Sequence, residues 1–300
     1  MKPCALVSVI ICTVRRPELY SGLIASLTRQ TWPSLEVLIV GREGETAPAF
    51  DNKAVRWMSA PKGLAPARNV GLANATGDVV IFFDDDVAIP DDFISHAMQV
   101  LSQPEHADVG GLTGYDTENY GAPINLRWKL RRQLGITPSL EPGDSNHLGR
   151  SVTLAFFHPF TGCRNVKWLP GFCQIFRREA IQCMRYDEKI IVEDRDFSMR
   201  VGDNWRLIIC GDLRLRHLMD GEARHSHAFQ TWRAAFGLGR IYAKRRRNIA
   251  DRIAALQVAT GELLIDSLVL LKQPSFNNAQ VTWMRLKGFT QGYISFKAAR

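Results

Sequence analysis

An α/β fold with a mostly parallel sheet flanked by helices, followed by a helical C-terminal extension, is what this 300-residue sequence predicts. Three observations carry that prediction. Short β-branched runs alternate with helical patterns from residue 6 to residue 83, at the intervals of right-handed crossover connections. The run Val79–Phe83 is apolar without interruption, as in a strand buried on both faces, and leads straight into Asp84-Asp85-Asp86. Beyond His217 the pattern is helical to the last residue.

Taken in order, Leu6–Cys12 is a β-branched run bounded by Arg15-Arg16-Pro17 and reads as a buried first strand. Pro17 suits the first turn of a helix and Glu18 its positive end, with Leu19, Leu23, Ile24 and Leu27 at helical spacing. Trp32-Pro33-Ser34 turns into a second strand, Leu35–Val40, and Val55–Met58 makes a third. Ala65–Ala75 reads as a helix closed by Gly77, ahead of the Val79–Phe83 strand. A helix over Asp92–Leu101 follows. From Thr113 to Thr161 the chain is rich in Gly, Pro and Asn and reads as long loops around a basic helix, Arg127–Arg132. Further strands are expected at Phe172–Phe176, Trp205–Cys210 and Leu213–Leu218, with helices at Arg178–Met184 and Glu193–Val201. Phe229, Trp232 and Phe236 form one late helical stripe. Ile249, Ile253, Leu256 and Leu263 form another, broken by Gly261.

A hydrophobic share of 46% supplies a sizeable core. Residues 221–300 carry 13 Lys and Arg against 4 Asp and Glu, net +9, whereas residues 1–220 are near neutral. The basic character therefore belongs to the C-terminal quarter and points to an anionic surface as its partner. No nucleic-acid recognition motif accompanies it. Cysteines 4, 12, 163, 173, 183 and 210 show no zinc spacing and demand no oxidising compartment. The apolar N-terminus lacks a small-residue cleavage site. Leu263–Leu271 is too short to span a bilayer and contains Asp266, so no transmembrane helix is expected and the protein reads as cytoplasmic.

Chemistry gathers at the strand end. Three adjacent carboxylates repel one another and call for a counter-charge, which a hard divalent cation supplies through oxygen ligands. The carboxyl end of a buried strand is also where open α/β sheets place ligands. Upstream stands Gly63-Leu64-Ala65-Pro66-Ala67-Arg68-Asn69-Val70-Gly71, then Gly77-Asp78; well downstream comes Glu193-Asp194. Supporting pieces are Cys12-Thr13, the turn Trp168-Leu169-Pro170-Gly171 and a late His217.

In that order and spacing, residues 6–220 resemble the inverting nucleotide-sugar glycosyltransferases of family 2, which have the Rossmann-like GT-A fold. The resemblance implies a glycosyltransferase domain over 1–220, with a nucleotide-sugar half to about residue 112 and an acceptor half over 113–220. A basic helical extension would occupy 221–300. It implies that Asp84 and Asp86 form the Asp-x-Asp element, Asp84 near the ribose and Asp86 on Mg²⁺ or Mn²⁺, with Asp85 near the sugar or solvated. His217 would complete the metal sphere. Arg68, Thr13 and Arg15 would line the nucleotide, and Asp194, beside Glu193, would be the general base that takes the acceptor's hydroxyl proton. Two departures concern the nucleobase. Where relatives carry a base-binding Asp, the second strand here ends Val40-Gly41-Arg42-Glu43, leaving Glu43 or Glu45 as replacements. Val14 stands where many relatives place an aromatic.

Lys244-Arg245-Arg246-Arg247 beside Phe229, Trp232, Phe236 and Tyr242 suits docking on anionic lipid headgroups at the inner face of the cell membrane. That would fit a glycan or lipid-linked acceptor in cell-surface polysaccharide synthesis. Two rival classes stay open. A nucleotidyltransferase making nucleotide-sugars also needs paired carboxylates, but its first loop is usually Gly-rich, unlike Thr13–Pro17. A non-catalytic sugar- or lipid-binding relative is conceivable from Gly41-Arg42, and retention of Asp84, Asp86 and Asp194 argues against it.

Overall fold

The computed structural model describes residues 5–13, 17–45, 54–218, 226–246 and 248–297. The expected alternation is present: β1 (Val7–Cys12), α1 (Pro17–Thr28), β2 (Leu35–Arg42), β3 (Val55–Ala60), α2 (Leu64–Asn74) and β4 (Val79–Asp84). These four strands pair in parallel in the order β3-β2-β1-β4. There follow β5 (Val87–Ala88), α3 (Phe93–Ser102), β6 (Val109–Asp116), α4 (Leu126–Gln133), β7 (Cys163–Val166) and β8 (Cys173–Arg177). Then come α5 (Arg178–Ile181), α6 (Glu193–Val201), β9 (Arg206–His217), α7 (His227–Arg245), α8 (Ile249–Lys272) and α9 (Phe276–Lys297). The sheet continues β4-β8-β6-β9-β5, with β7 also on β9. β8 lies antiparallel between β4 and β6, while β6 and β9 run parallel.

Two compact units make up the chain. The first comprises Met1–Gly121, Phe157–Glu188 and Phe197–Asp220; the second comprises Ala122–Phe156, Lys189–Asp196 and Gly221–Arg300. Residues 122–156 and 189–196 thus join the C-terminal helices although they precede residue 220.

The first unit holds the sheet and its core, with Ile11, Ile39, Ile81, Phe83 and Ile175 fully or almost fully buried. β6 is buried along its whole length yet carries three glycines and runs on into the stretch that reads as loops from Thr113. Its glycines make room for neighbours: a Cβ on Gly111 would lie 2.7 Å from Leu207. The two runs expected at 205–210 and 213–218 are one strand, β9, which passes Gly211-Asp212 unbroken. Its register against β6 shifts between Gly114 and Tyr115, the signature of a bulge.

In the second unit, Ile136, Leu148, Leu238, Tyr242, Val258 and Ile265 form a separate core. Helices α7 and α9 approach backbone to backbone. A Cβ on Gly292 would lie 2.1 Å from the Phe236 carbonyl oxygen, and one on Gly288 would lie 2.5 Å from that of Trp232. The aromatic stripe of α7 is engaged at this crossing, where Trp232 Nε1 donates to Gln291 at 2.9 Å. The basic run is engaged too: Lys244 meets Asp196 at 3.0 Å, Arg245 donates to the His147 carbonyl and Arg246 to the Tyr293 hydroxyl. Arg247 lies outside the described residues. A stripe that looks exposed in sequence thus has a helix across it, and its residues stay half-buried.

Helix α8 runs unbroken through Gly261, which packs on Ile136. At 24 residues it is long and apolar enough to cross a membrane by length and composition, unlike the short stretch expected. One face of it carries buried Glu262 and Asp266. Glu262 accepts from Arg131 at 2.8 and 2.9 Å and also meets Arg150 and Arg285; Asp266 meets Arg285 and Arg127. The opposite face exposes Leu256, Leu264, Leu268 and Leu271.

Candidate functional site

The buried β4 strand delivers Asp84 to its carboxyl end, and the chain turns at once so that Asp86 precedes β5. β5 pairs with the far end of β9, with Val87 opposite His217, and this brings a histidine from 131 residues downstream to the same corner. Ligand atoms of Asp84, Asp86 and His217 all lie within 4.8 Å of one another. His217 Nε2 stands 3.2 Å from Asp86 Oδ1, and its ring stacks on Phe172 with centroids 4.7 Å apart. Burial alone would lower the imidazole's pKa. The hydrogen bond to Asp86 and the charges of Asp86, Asp84 and Asp116 outweigh it and raise the value.

Arg68, almost wholly buried on α2, donates to Asp84 Oδ1 at 3.1 Å and to the Gly171 carbonyl at 3.2 Å, with its guanidinium over the Tyr186 ring. It therefore fixes Asp84 and offsets part of the acidic charge. Asp85 is buried, not solvated: Thr13 Oγ1 donates to it at 2.7 Å, tying the end of β1 to the turn after β4. Arg15 and Val14 lie outside the described residues. Glu43 is exposed on the turn after β2, where its backbone N–H meets the Ala60 carbonyl. Glu45 bends back so that Oε2 accepts from the Arg42 N–H at 3.1 Å. Glu193 and Asp194 open α6; this first turn belongs to the helical unit, with Glu193 buried and Asp194 half-buried. Trp168 is buried.

Three participants at this corner escaped the sequence reading. Phe172 supports the His217 ring and its carbonyl accepts from the Asp84 N–H at 3.2 Å. Fully buried Asp116 accepts from the His217 N–H at 3.2 Å and from Asn119 at 2.7 Å. Asn119 in turn donates to the His217 carbonyl. Only recognition of β6 as a strand would have signalled Asp116, which ends it.

The donor set fits a hard or borderline divalent cation. Two carboxylates suit Mg²⁺ or Mn²⁺, and one imidazole is compatible with the latter. Gly41 also gains a physical reason. A Cβ there would lie 2.1 Å from Trp57 Cζ2 and 3.1 Å from Glu45 Oε2, so an aspartate at this position has no room. Gly41→Asp is accordingly expected to cost about 1–3 kcal/mol of stability by overpacking. Denaturant unfolding checks it, and an undiminished midpoint would refute the close packing.

The profile of glycosyl transferase family 2 matches residues 8–185 of this chain. An uncharacterized glycosyltransferase from Haemophilus influenzae is 31% identical over 104 residues, which is 33% of this chain and 35% of that relative's length. Among solved structures, the chain resembles a mannosyltransferase from Pyrobaculum calidifontis in complex with GDP-Man and Mn²⁺. That likeness has a TM-score of 0.57 at 14% identity, covering 100% of this chain and 89% of that one. It also resembles S. aureus TarS 1-349 in complex with UDP-GlcNAc, with a TM-score of 0.50 at 13% identity, covering 98% and 92%. At these identities the likeness lies in the fold.

Proposed function

The chain belongs to glycosyltransferase family 2, and on that premise we propose that it moves a sugar from a nucleotide-diphosphate donor to a hydroxyl acceptor, inverting the anomeric carbon. The observation that carries the reading is the convergence of Asp84, Asp86 and His217 at the end of a buried parallel strand. These three would hold Mg²⁺ or Mn²⁺, which would offset the charge developing on the departing diphosphate. Arg68 positions Asp84, and the Thr13–Asp85 bond holds the turn that presents Asp86. His217 is oriented by Phe172 below its ring and by Asp116 and Asn119 on its backbone. The donors bound by the two similar solved proteins support a nucleotide-sugar, while the Trp57 ring over Gly41 requires the base to be read without the second-strand aspartate.

Asp194 takes the acceptor's proton as its oxygen attacks the face opposite the nucleotide. Its place in the first turn of α6 suits an ionised carboxylate, since the helix N-terminus carries partial positive charge. Glu193 is adjacent and buried. The acceptor we infer is a glycan or lipid-linked saccharide of the cell envelope, met by a cytoplasmic enzyme at the inner membrane face; the net +9 of residues 221–300 supports this.

The test is Asp194→Asn with nucleotide-sugars and Mn²⁺ or Mg²⁺. Donor binding by calorimetry should be unchanged while transfer falls by about 10²–10⁴-fold. Full transfer in the variant would remove Asp194 as the base, and no nucleotide-sugar binding by the parent chain would sink the transferase reading.

A further inference from the structure

The helical unit contains a cavity of about 70 Å³ whose charged walls are Arg150, Arg195, Arg285 and Glu262. That is room for roughly five water-sized groups, the scale of a tetrahedral oxyanion. Cations are in excess around it among the described residues: Arg127, Arg131, Arg150 and Arg285 face Glu262 and Asp266, four against two. Arg195, on which the charge of Asp194 acts, completes the wall. The buried Nε of Arg150 has no hydrogen-bond partner among the described residues. Burial lowers the pKa of Arg150 to about 10 and lowers those of Arg195 and Arg285 as well, against the opposing pull of Glu262 and Asp194.

A second, apolar groove of about 400 Å³ lies directly beside this cavity, between α8 and α9. The two share Leu263, Leu286 and Phe289, and the groove extends along Leu256, Tyr293 and Ile294. Leu256 and Ile294 are 64% and 58% exposed. Both walls of the groove are helices with internally bonded backbones, so it offers no strand edge for a peptide to pair with. A packed apolar helix of a second copy would cover the groove and leave the arginines uncompensated.

We propose that the helical unit binds a single-chain anionic amphiphile, with a phosphate-type head among Arg150, Arg195 and Arg285 and a hydrocarbon tail along the Leu256–Ile294 groove. Guanidinium forks match phosphate oxygens in geometry as well as charge. Each buried methylene of the tail adds about four-fold to the affinity, so head and tail reinforce one another. As the carrier of the acceptor, the amphiphile's role rests on the glycosyltransferase reading; the binding site does not.

The experiment uses the full chain without donor or metal, titrated with dodecyl phosphate below its micellar concentration, with dodecanol and inorganic phosphate in parallel. Saturable one-to-one binding of dodecyl phosphate is expected, about ten-fold or more tighter than either control. Arg150→Gln and Leu256→Glu should each weaken it about ten-fold. Leu256 is exposed, so this variant keeps the test informative if Arg150→Gln fails to fold. Equal binding of dodecanol, equal binding of inorganic phosphate, or indifference to Leu256→Glu would each overturn the proposal. Capture by phosphatidylglycerol vesicles with no binding of monomeric dodecyl phosphate would do so as well, leaving only surface attraction. Because no transfer is measured, these outcomes are independent of the fate of the catalytic reading.

Discussion

Asp86→Asn should leave the chain folded and lower metal-dependent sugar transfer by about 10³-fold or more, since Lewis-acid stabilisation of a leaving diphosphate is worth several kcal/mol. The substitution keeps the side chain's shape but removes its charge from a trio whose ligand atoms lie within 4.8 Å of one another. It also weakens the contact that places His217 Nε2 3.2 Å from Asp86. Two readouts separate metal loss from misfolding. The parent chain should gain thermal stability on adding Mn²⁺ while the variant should not, and both should melt at similar temperatures without metal. Unchanged turnover, or an unchanged Mn²⁺-induced shift, would show that Asp84 and His217 suffice without Asp86.

Glu262→Gln is expected to destabilise the helical unit by about 3–5 kcal/mol, the cost of leaving buried charge unpaired. Glu262 is almost fully buried and is the shared partner of Arg131, Arg150 and Arg285. Glutamine keeps the volume but leaves three guanidinium groups around a neutral amide. The same network sets a pH dependence. Burial pushes the Glu262 carboxyl up, but Arg150, Arg131 and Arg285 outweigh it and hold the value at about 2, against an ordinary 4.5. A depressed carboxylate contributes stability that is complete above its unfolded value and lost as pH falls through the folded one. The helical unit should therefore hold down to about pH 4.5 and weaken between about 4.5 and 2. Circular dichroism on acid titration follows this directly. Loss of that acid-sensitive step in Glu262→Gln is the expected control, and an unaltered acid profile would remove Glu262 as its source.

Much of the sheet was legible because its signals are local. Val79–Phe83 is apolar throughout because β4 is covered on both faces, and β1 and β2 read as β-branched runs for the same reason. β6 was not legible. Its Gly110-Gly111 and Gly114 are fitted to Trp205, Leu207 and Leu215, neighbours nearly a hundred residues away, and in sequence they imitate a loop. The candidate site divided in the same manner. Asp84 and Asp86 were readable from a strand end, whereas Phe172, Asp116 and Asn119 act only through contacts with His217.

The sequence by itself determined the alternation of the first half, the carboxylates at the end of β4, the family to which they belong and the basic character of the last quarter. Tertiary structure alone decided what each surface meets. It set the α7 aromatic stripe against Gly288 and Gly292, laid the Trp57 ring over Gly41, and gathered arginines from three separate stretches around two carboxylates of α8. The physical reason is that periodicity reports which face of an element is apolar, while its partner is chosen by fit and charge between residues far apart in the chain.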